Sequence, residues 1–238
     1  MVGGMVTTKS NVAFILRRDE GTMIYPVMLN IRGRRCVVVG GGRVAFRKVI
    51  GLLNAGAEVI VISPQLNALL TKLVDQSQIK WQSQRYVNGL LKPHQPFVVI
   101  AATDSPDVNR VVADDAEALG ALVNIVDESA ESDFNNMAVI DRSPLTIAIS
   151  TGGASPALTT HLKQKLDTSI GDEYIVLAKW MQELRSDVQR QIPSENARHA
   201  FWYAVIDSEI LSLLRSGHEQ AAHDLLRRLL SECVEAVS

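Results

Sequence analysis

Cysteine is scarce: Cys36 and Cys233 are the two in 238 residues. Neither belongs to a C-x-x-C pair or a Cys/His cluster, so a structural zinc site is not expected. A chain this long can bury a core without disulfide staples, and so few cysteines fit a reducing, cytoplasmic compartment. The five histidines are scattered without ligand spacing, and no stably bound metal is expected. No apolar run approaches the about 20 residues that a bilayer span requires. Charge of one sign is missing too. The formal net charge is -2, which gives no field pointing to nucleic acid or to an anionic membrane surface. Residues 1–24 contain Lys9, Arg17 and Arg18 but no long apolar core with a small-residue cleavage site. They are read as an N-terminal extension rather than a signal peptide, ahead of a domain that begins near Tyr25-Pro26.

What is present is an alternation. A β-branched run over residues 36–39 meets Gly40-Gly41-Gly42, and apolar residues then recur at helical spacing over 44–55 until Gly56. The run EVIVIS at 58–63 follows, then a helix over 65–75 and a more polar strand over 79–86. FVVIAA at 97–102 reads as a buried strand, 107–119 as helix and 122–126 as strand. Continuous apolar strands separated by amphipathic helices indicate a parallel sheet covered on both faces, the doubly wound α/β (Rossmann-type) plan. Past Asp127 the rhythm changes. Two short strands, 137–140 and 145–150, are joined by the turn Asp141-Arg142-Ser143-Pro144. Ser155-Pro156 then reads as an N-cap followed by proline at the first helical position. The remainder reads as helix, with breaks near 169–171, 192–194 and 216–217. The expected organisation is an extension at 1–24, a dinucleotide-binding domain at 25–127, a small β segment at 128–152 and a helical domain at 153–238.

Gly40-Gly41-Gly42-Arg43-Val44-Ala45 fits G-x-G-x-x-A between a strand and a helix, the context in which that motif has meaning. The first glycine permits the tight turn. Gly42 lets a pyrophosphate approach the backbone, and Ala45 lets the helix pack close to the sheet. Backbone N–H groups and the helix dipole there suit phosphate charge. The acidic residue that commonly ends the second strand is missing. Ser63-Pro64-Gln65 stand in its place, with Ser63 or Gln65 as candidate ribose partners. No arginine stands there for a 2′-phosphate, which weakly favours NAD over NADP, but spacing alone leaves that choice open. Thr103-Asp104 follow FVVIAA at a strand end, where ligands of open sheets bind; a helix-capping turn is the alternative, and both can hold together.

Several stretches together resemble the siroheme synthase family: YPVMLNIRGRRCVVVGGGRVAFRK, AATDSPDVN, VNIVD and IDRSPLTIAISTGGASPAL, followed by KLD. The resemblance spans about residues 25–167 and continues more weakly beyond. The glycine loop alone is common to many enzymes; this combination in this order is far more specific. The family comprises precorrin-2 dehydrogenases, many of which also insert ferrous iron as sirohydrochlorin ferrochelatases. In some bacteria the module is fused to a methyltransferase, for which 238 residues leave no room. The resemblance implies Asp127, in N-x-x-D, as the essential aspartate. It implies cofactor contacts at Arg43, Val44, Pro64 and Gln65, and it aligns Thr151 with a serine that is phosphorylated in some members. It also implies a homodimer whose small β segment and helical tail build a tetrapyrrole cleft.

The implied reaction removes a hydride to NAD and a proton to a base, for which a carboxylate at Asp127 is suited. The same base is a candidate for a chelatase step with iron as substrate. The substrate is rich in carboxylates, so a cationic cleft is expected. The residues singled out for it are Arg142 in the turn and the stretch Thr151-Gly152-Gly153, whose N–H groups suit an anion. The competing readings are a ferrochelatase with a vestigial nucleotide site and an NAD-sensing regulatory module. The intact glycine loop argues against the first, and N-x-x-D against the second.

Overall fold

The computed structural model describes residues 25–126 and 128–237. The N-terminal extension and Asp127 therefore lie outside the described residues. By internal contacts the chain divides into two units, with the boundary between Val123 and Asn124.

In the first unit the strands are β1 (Arg35–Val39), β2 (Glu58–Ile62), β3 (Lys80–Gln82) and β4 (Val98–Ala101), with β5 (Leu122–Ile125) running across the boundary. They form one five-stranded sheet in the order β3-β2-β1-β4-β5. β1 pairs in parallel with both β2 and β4, and β2 pairs in parallel with β3. The order reverses beside β1, which creates the switch point at which open α/β sheets bind ligands. Helices α1 (Arg43–Asn54), α2 (Ala68–Asp75) and α3 (Pro106–Ala118) connect the strands. The doubly wound plan expected from the alternation is the fold that forms. Val37, Val38, Val39, Val61, Ile62 and Val99 are almost wholly buried, as strands covered on both faces require. Cys36 lies in the same layer. Burial pushes its thiol up to about 11, so it packs as a small hydrophobe.

Local chemistry moves several boundaries. The helix expected from residue 65 begins at Ala68, because the Asn67 side chain accepts the N–H groups of Leu69 and Leu70 and caps α2 there. The strand expected over 79–86 shortens to Lys80–Gln82. The chain then leaves the sheet edge, and α3 holds it: Asp115 accepts the Tyr86 hydroxyl at 2.5 Å and the Gly89 N–H at 2.7 Å. α3 starts at Pro106, one residue earlier than expected, with Ser105 as its cap.

The second unit contains the antiparallel pair β6 (Ala138–Arg142) and β7 (Leu145–Ile149). Helices α4 (Pro156–Ser169), α5 (Asp172–Gln191), α6 (Glu195–Asp207), α7 (Ile210–Arg215) and α8 (Glu219–Val237) follow. Arg142 closes β6 rather than sitting in the turn, which narrows to Ser143-Pro144. The breaks near 169–171, 192–194 and 216–217 are present. A further one at Ser208 is new: its hydroxyl donates to the Val205 carbonyl and accepts the Ile210 N–H, ending one helix and starting the next without glycine or proline. Leu177, Val188, Ile192, Phe201, Val205, Ile210 and Leu226 form the buried centre of this helical group. Trp180 and Trp202 pack against that centre, whereas Tyr203 is exposed. Among the described residues no helix is long and apolar enough to cross a membrane.

α5 and α7 are also joined by charge. One oxygen of Glu173 accepts from Arg215 Nε at 3.0 Å and Nη2 at 2.7 Å, and the Glu173 side chain is only 8% exposed. This hydrogen bonding holds the Glu173 carboxyl below its usual range. A carboxylate depressed in the folded state stabilises above its unfolded pKa and loses that contribution as pH falls through the folded value. Unfolding midpoints measured against pH should therefore fall on the acid side, below the ordinary glutamate range. Glu173→Gln should flatten that part of the profile; an unchanged acid limb would show that the pair does not supply it.

Candidate functional site

Three strand ends frame the glycine loop. Gly40 has φ +129°, and a Cβ there would run into the Ala102 carbonyl just past β4. Its N–H donates to the Ile62 carbonyl at the end of β2 (2.9 Å). Gly41 is equally constrained: a Cβ would meet the Gln65 carbonyl and would stand 2.6 Å from Ser63 Oγ. Gly42 is different. It is exposed, its φ of -85° suits any residue, and a Cβ would have nothing within 4 Å. The first two positions are glycine because the protein presses on them; the third faces open space. Gly42 is also the N-cap of α1, which has no side-chain cap. The first-turn N–H groups of a helix have no intrahelical partner, so this end offers donors and a positive dipole to an anion. Arg43 is exposed and Val44 half-buried beside it, while Ala45 is fully buried under the helix. A loop that glycine makes tight on two sides and open on the third fits a pyrophosphate.

The rim at β2 departs from expectation in one respect. Ser63 is buried, and its hydroxyl turns inward to donate to the Gln65 carbonyl at 2.7 Å. Pro64 and Gln65 are exposed, which leaves Gln65 as the outward side chain of the pair proposed for ribose. At β4 the capping alternative for Thr103 is realised. Its hydroxyl donates to Asn109 Oδ1 at 2.7 Å and accepts the Ser105 N–H at 3.2 Å. Asn109 also takes the Thr103 N–H and returns a bond from Nδ2 to the Thr103 carbonyl, both at 3.1 Å. Asp104 is exposed at the same turn. Asn109 was not singled out from the sequence, although the pattern AATD-x-x-x-x-N contains it. It is 6% exposed, and it fixes this strand end through several bonds at once. Asn109→Ala should cost about 1–3 kcal/mol of stability, since it strips partners from a buried turn. A denaturant midpoint equal to wild type would contradict that role.

Asp127 itself lies outside the described residues; residues on either side of it are hydrogen-bonded to one another. Asn124 is buried at the end of β5 and donates to the Phe134 carbonyl at 2.9 Å. Ser132 Oγ accepts the Ile125 N–H at 2.9 Å and donates to the Glu128 carbonyl, also at 2.9 Å. The segment after Asp127 is thus folded back on the strand end that precedes it. The first residue of N-x-x-D is a structural anchor.

In the second unit Arg142 is already engaged. Nη1 donates to the Ile170 carbonyl at 2.9 Å, while Nη2 donates to the Asp167 carbonyl at 3.2 Å and pairs with its carboxylate at 2.7 Å. The last carbonyls of a helix have no partner within it, so Arg142 caps α4 from β6. Its half-buried guanidinium is committed to this cap. Thr151 is half-buried and closes the loop before α4: its Oγ1 accepts the Ser155 N–H at 3.2 Å and lies 3.1 Å from Thr159 Oγ1. Gly152 and Gly153 are exposed with φ of +61° and +86°, a pair of left-handed turns ahead of the Ser155 cap. Among the described residues no group of three or more His, Cys, Asp or Glu side chains is placed to hold a metal ion.

Residues 27–138 match the family described as putative NAD(P)-binding. Residues 142–169 match the sirohaem biosynthesis protein central family, and residues 173–230 match the sirohaem synthase dimerisation region. The three matches follow one another along the chain. The chain belongs to the siroheme synthase family. It is 38% identical to the siroheme synthase of Chromobacterium violaceum over 198 residues, which is 83% of this chain and 42% of that protein. It is 40% identical to that of Nitrosococcus oceani over 205 residues, 86% of this chain and 43% of that protein. The chain thus spans less than half the length of these siroheme synthases. A solved structure of SirC, a precorrin-2 dehydrogenase, matches with a TM-score of 0.68 and 27% identity, over 90% of this chain and 100% of that one. The first unit is a nicotinamide dinucleotide-binding domain of this family.

Proposed function

We propose that this chain is an NAD-dependent precorrin-2 dehydrogenase of siroheme biosynthesis, forming sirohydrochlorin. The observation that carries the reading is the glycine loop, closed by its neighbours at Gly40 and Gly41 and open at Gly42, in a chain similar to SirC along that protein's whole length. When bound, NAD accepts the hydride that leaves the macrocycle. The residues of the chain do the rest. The uncapped N-terminus of α1 receives the pyrophosphate at Gly42, with Arg43 and Val44 alongside. Pro64 and Gln65 form the ribose rim, and Thr103 with Asp104 forms the rim at β4. No cation stands at 63–65 to meet a 2′-phosphate, which supports NAD over NADP. Asp127, which follows β5 in sequence, takes the proton that balances hydride loss.

The match to a dimerisation region supports a homodimer. α4 agrees, since the chain alone buries none of its residues. Gly152-Gly153 are offered as the substrate-carboxylate contact, with Arg142 and Thr151 shaping the two ends of α4 rather than reaching out. The two cysteines are free thiols, as in a reducing cytoplasm. The test is anaerobic turnover of precorrin-2 with NAD and, separately, with NADP, with ferrous iron added after oxidation is complete. NADH formation faster than NADPH formation supports the reading. Siroheme appearing only after iron would add the chelatase step. NAD binding with no oxidation would favour the sensing module instead.

A further inference from the structure

A loop that receives a pyrophosphate must itself be held in place, and the structure shows what holds this one. Ser63 follows the last residue of β2, where a carboxylate commonly stands, and every polar group of Ser63 is used internally. Its N–H donates to the Gln82 carbonyl at 3.2 Å, and its carbonyl accepts from Trp81 Nε1 at 2.9 Å. Its hydroxyl donates to the Gln65 carbonyl at 2.7 Å. That carbonyl is the group a Cβ on Gly41 would strike. Two residues on, the Asn67 N–H donates to the Gly41 carbonyl at 2.9 Å. The turn from Ser63 to Asn67 is therefore a wall against the glycine loop, and the Ser63 hydroxyl fixes the part of the wall that touches Gly41.

We propose that Ser63 is a positioning residue for the cofactor: its inward hydroxyl sets the Gln65 peptide against Gly41 and so fixes the loop that presents N–H groups at Gly42. This inference rests on the cofactor reading above. It assigns Ser63 no contact with the ribose, because its hydrogen is already committed to Gln65. Donors aimed at an anion lose strength steeply with misalignment, so a loosened wall should weaken cofactor binding more than it weakens the fold. Gln65 is exposed, and its carbonyl, once released, can turn to water.

The experiment is calorimetric titration of the full chain with NAD, beside its thermal midpoint. Ser63→Ala should bind NAD about five- to tenfold more weakly, the size of one lost hydrogen bond, with a midpoint close to wild type. Ser63→Thr, which keeps the hydroxyl, should recover most of the affinity. Gly41→Ala should weaken binding further alone than in the Ser63→Ala background, because the two act through the same carbonyl. Unchanged NAD affinity in Ser63→Ala would overturn the proposal, as would strictly additive losses. Wild-type protein that binds NAD but does not oxidise precorrin-2 would defeat the proposed reaction and leave this test intact. Wild-type protein that does not bind NAD would overturn both.

Discussion

Asp127→Asn should retain NAD binding and lose NADH formation with precorrin-2 by about two to four orders of magnitude, the range that a positioned general base contributes. Asparagine keeps the shape of aspartate and cannot accept the proton. The reaction must release a proton for every hydride, so the loss should appear in turnover and not in cofactor affinity. Asn124 and Ser132 tie the chain on both sides of position 127 through bonds to Phe134, Ile125 and Glu128. A variant with full turnover would show that another group, or solvent, takes the proton. If ferrous iron insertion also occurs, the same variant reports whether the two steps share their base.

Gly42→Asp should weaken NAD binding by on the order of a hundredfold or more, since charge-assisted hydrogen bonds contribute about 1.5–3 kcal/mol each and this change opposes more than one. The fold should hardly notice it. Gly42 has a φ of -85°, and a Cβ there would touch nothing within 4 Å. Aspartate is also a favourable residue at an N-cap, so the thermal midpoint should hold or rise. The same substitution at Gly40 should lower the thermal midpoint as well, because φ +129° and the Ala102 carbonyl both exclude a side chain. Affinity measured by titration and midpoints measured by calorimetry separate the two positions. Unchanged NAD affinity in Gly42→Asp would place the pyrophosphate elsewhere.

Much of the first unit was legible because its signals are local. Buried parallel strands need continuous apolar runs, and the runs at β1, β2 and β4 are unambiguous. Gly40-Gly41-Gly42 was legible as a motif, but the sequence could not show that its glycines are glycine for opposite reasons, two crowded and one open. Side-chain direction was the main thing hidden. Ser63 suited a ribose by position, yet its hydroxyl points into the β2–α2 turn, a choice set by the partner at Gln65. Arg142 suited an anionic substrate by charge, yet the open carbonyls at the end of α4, 25 residues further on, engage it. Asn109 is not legible in the sequence because a lone asparagine in a helix carries no pattern of its own; only the turn at Thr103 gives it a role. The break at Ser208 was unreadable for the same reason, since a serine ends a helix there through two bonds that any loop serine might make.

The most direct measurement is the appearance of NADH when precorrin-2 and NAD are mixed with the protein without oxygen, set against the amount of sirohydrochlorin formed. The account predicts one NADH for each sirohydrochlorin, formed about two to four orders of magnitude more slowly in Asp127→Asn. Folded protein that binds NAD yet yields neither product would contradict it.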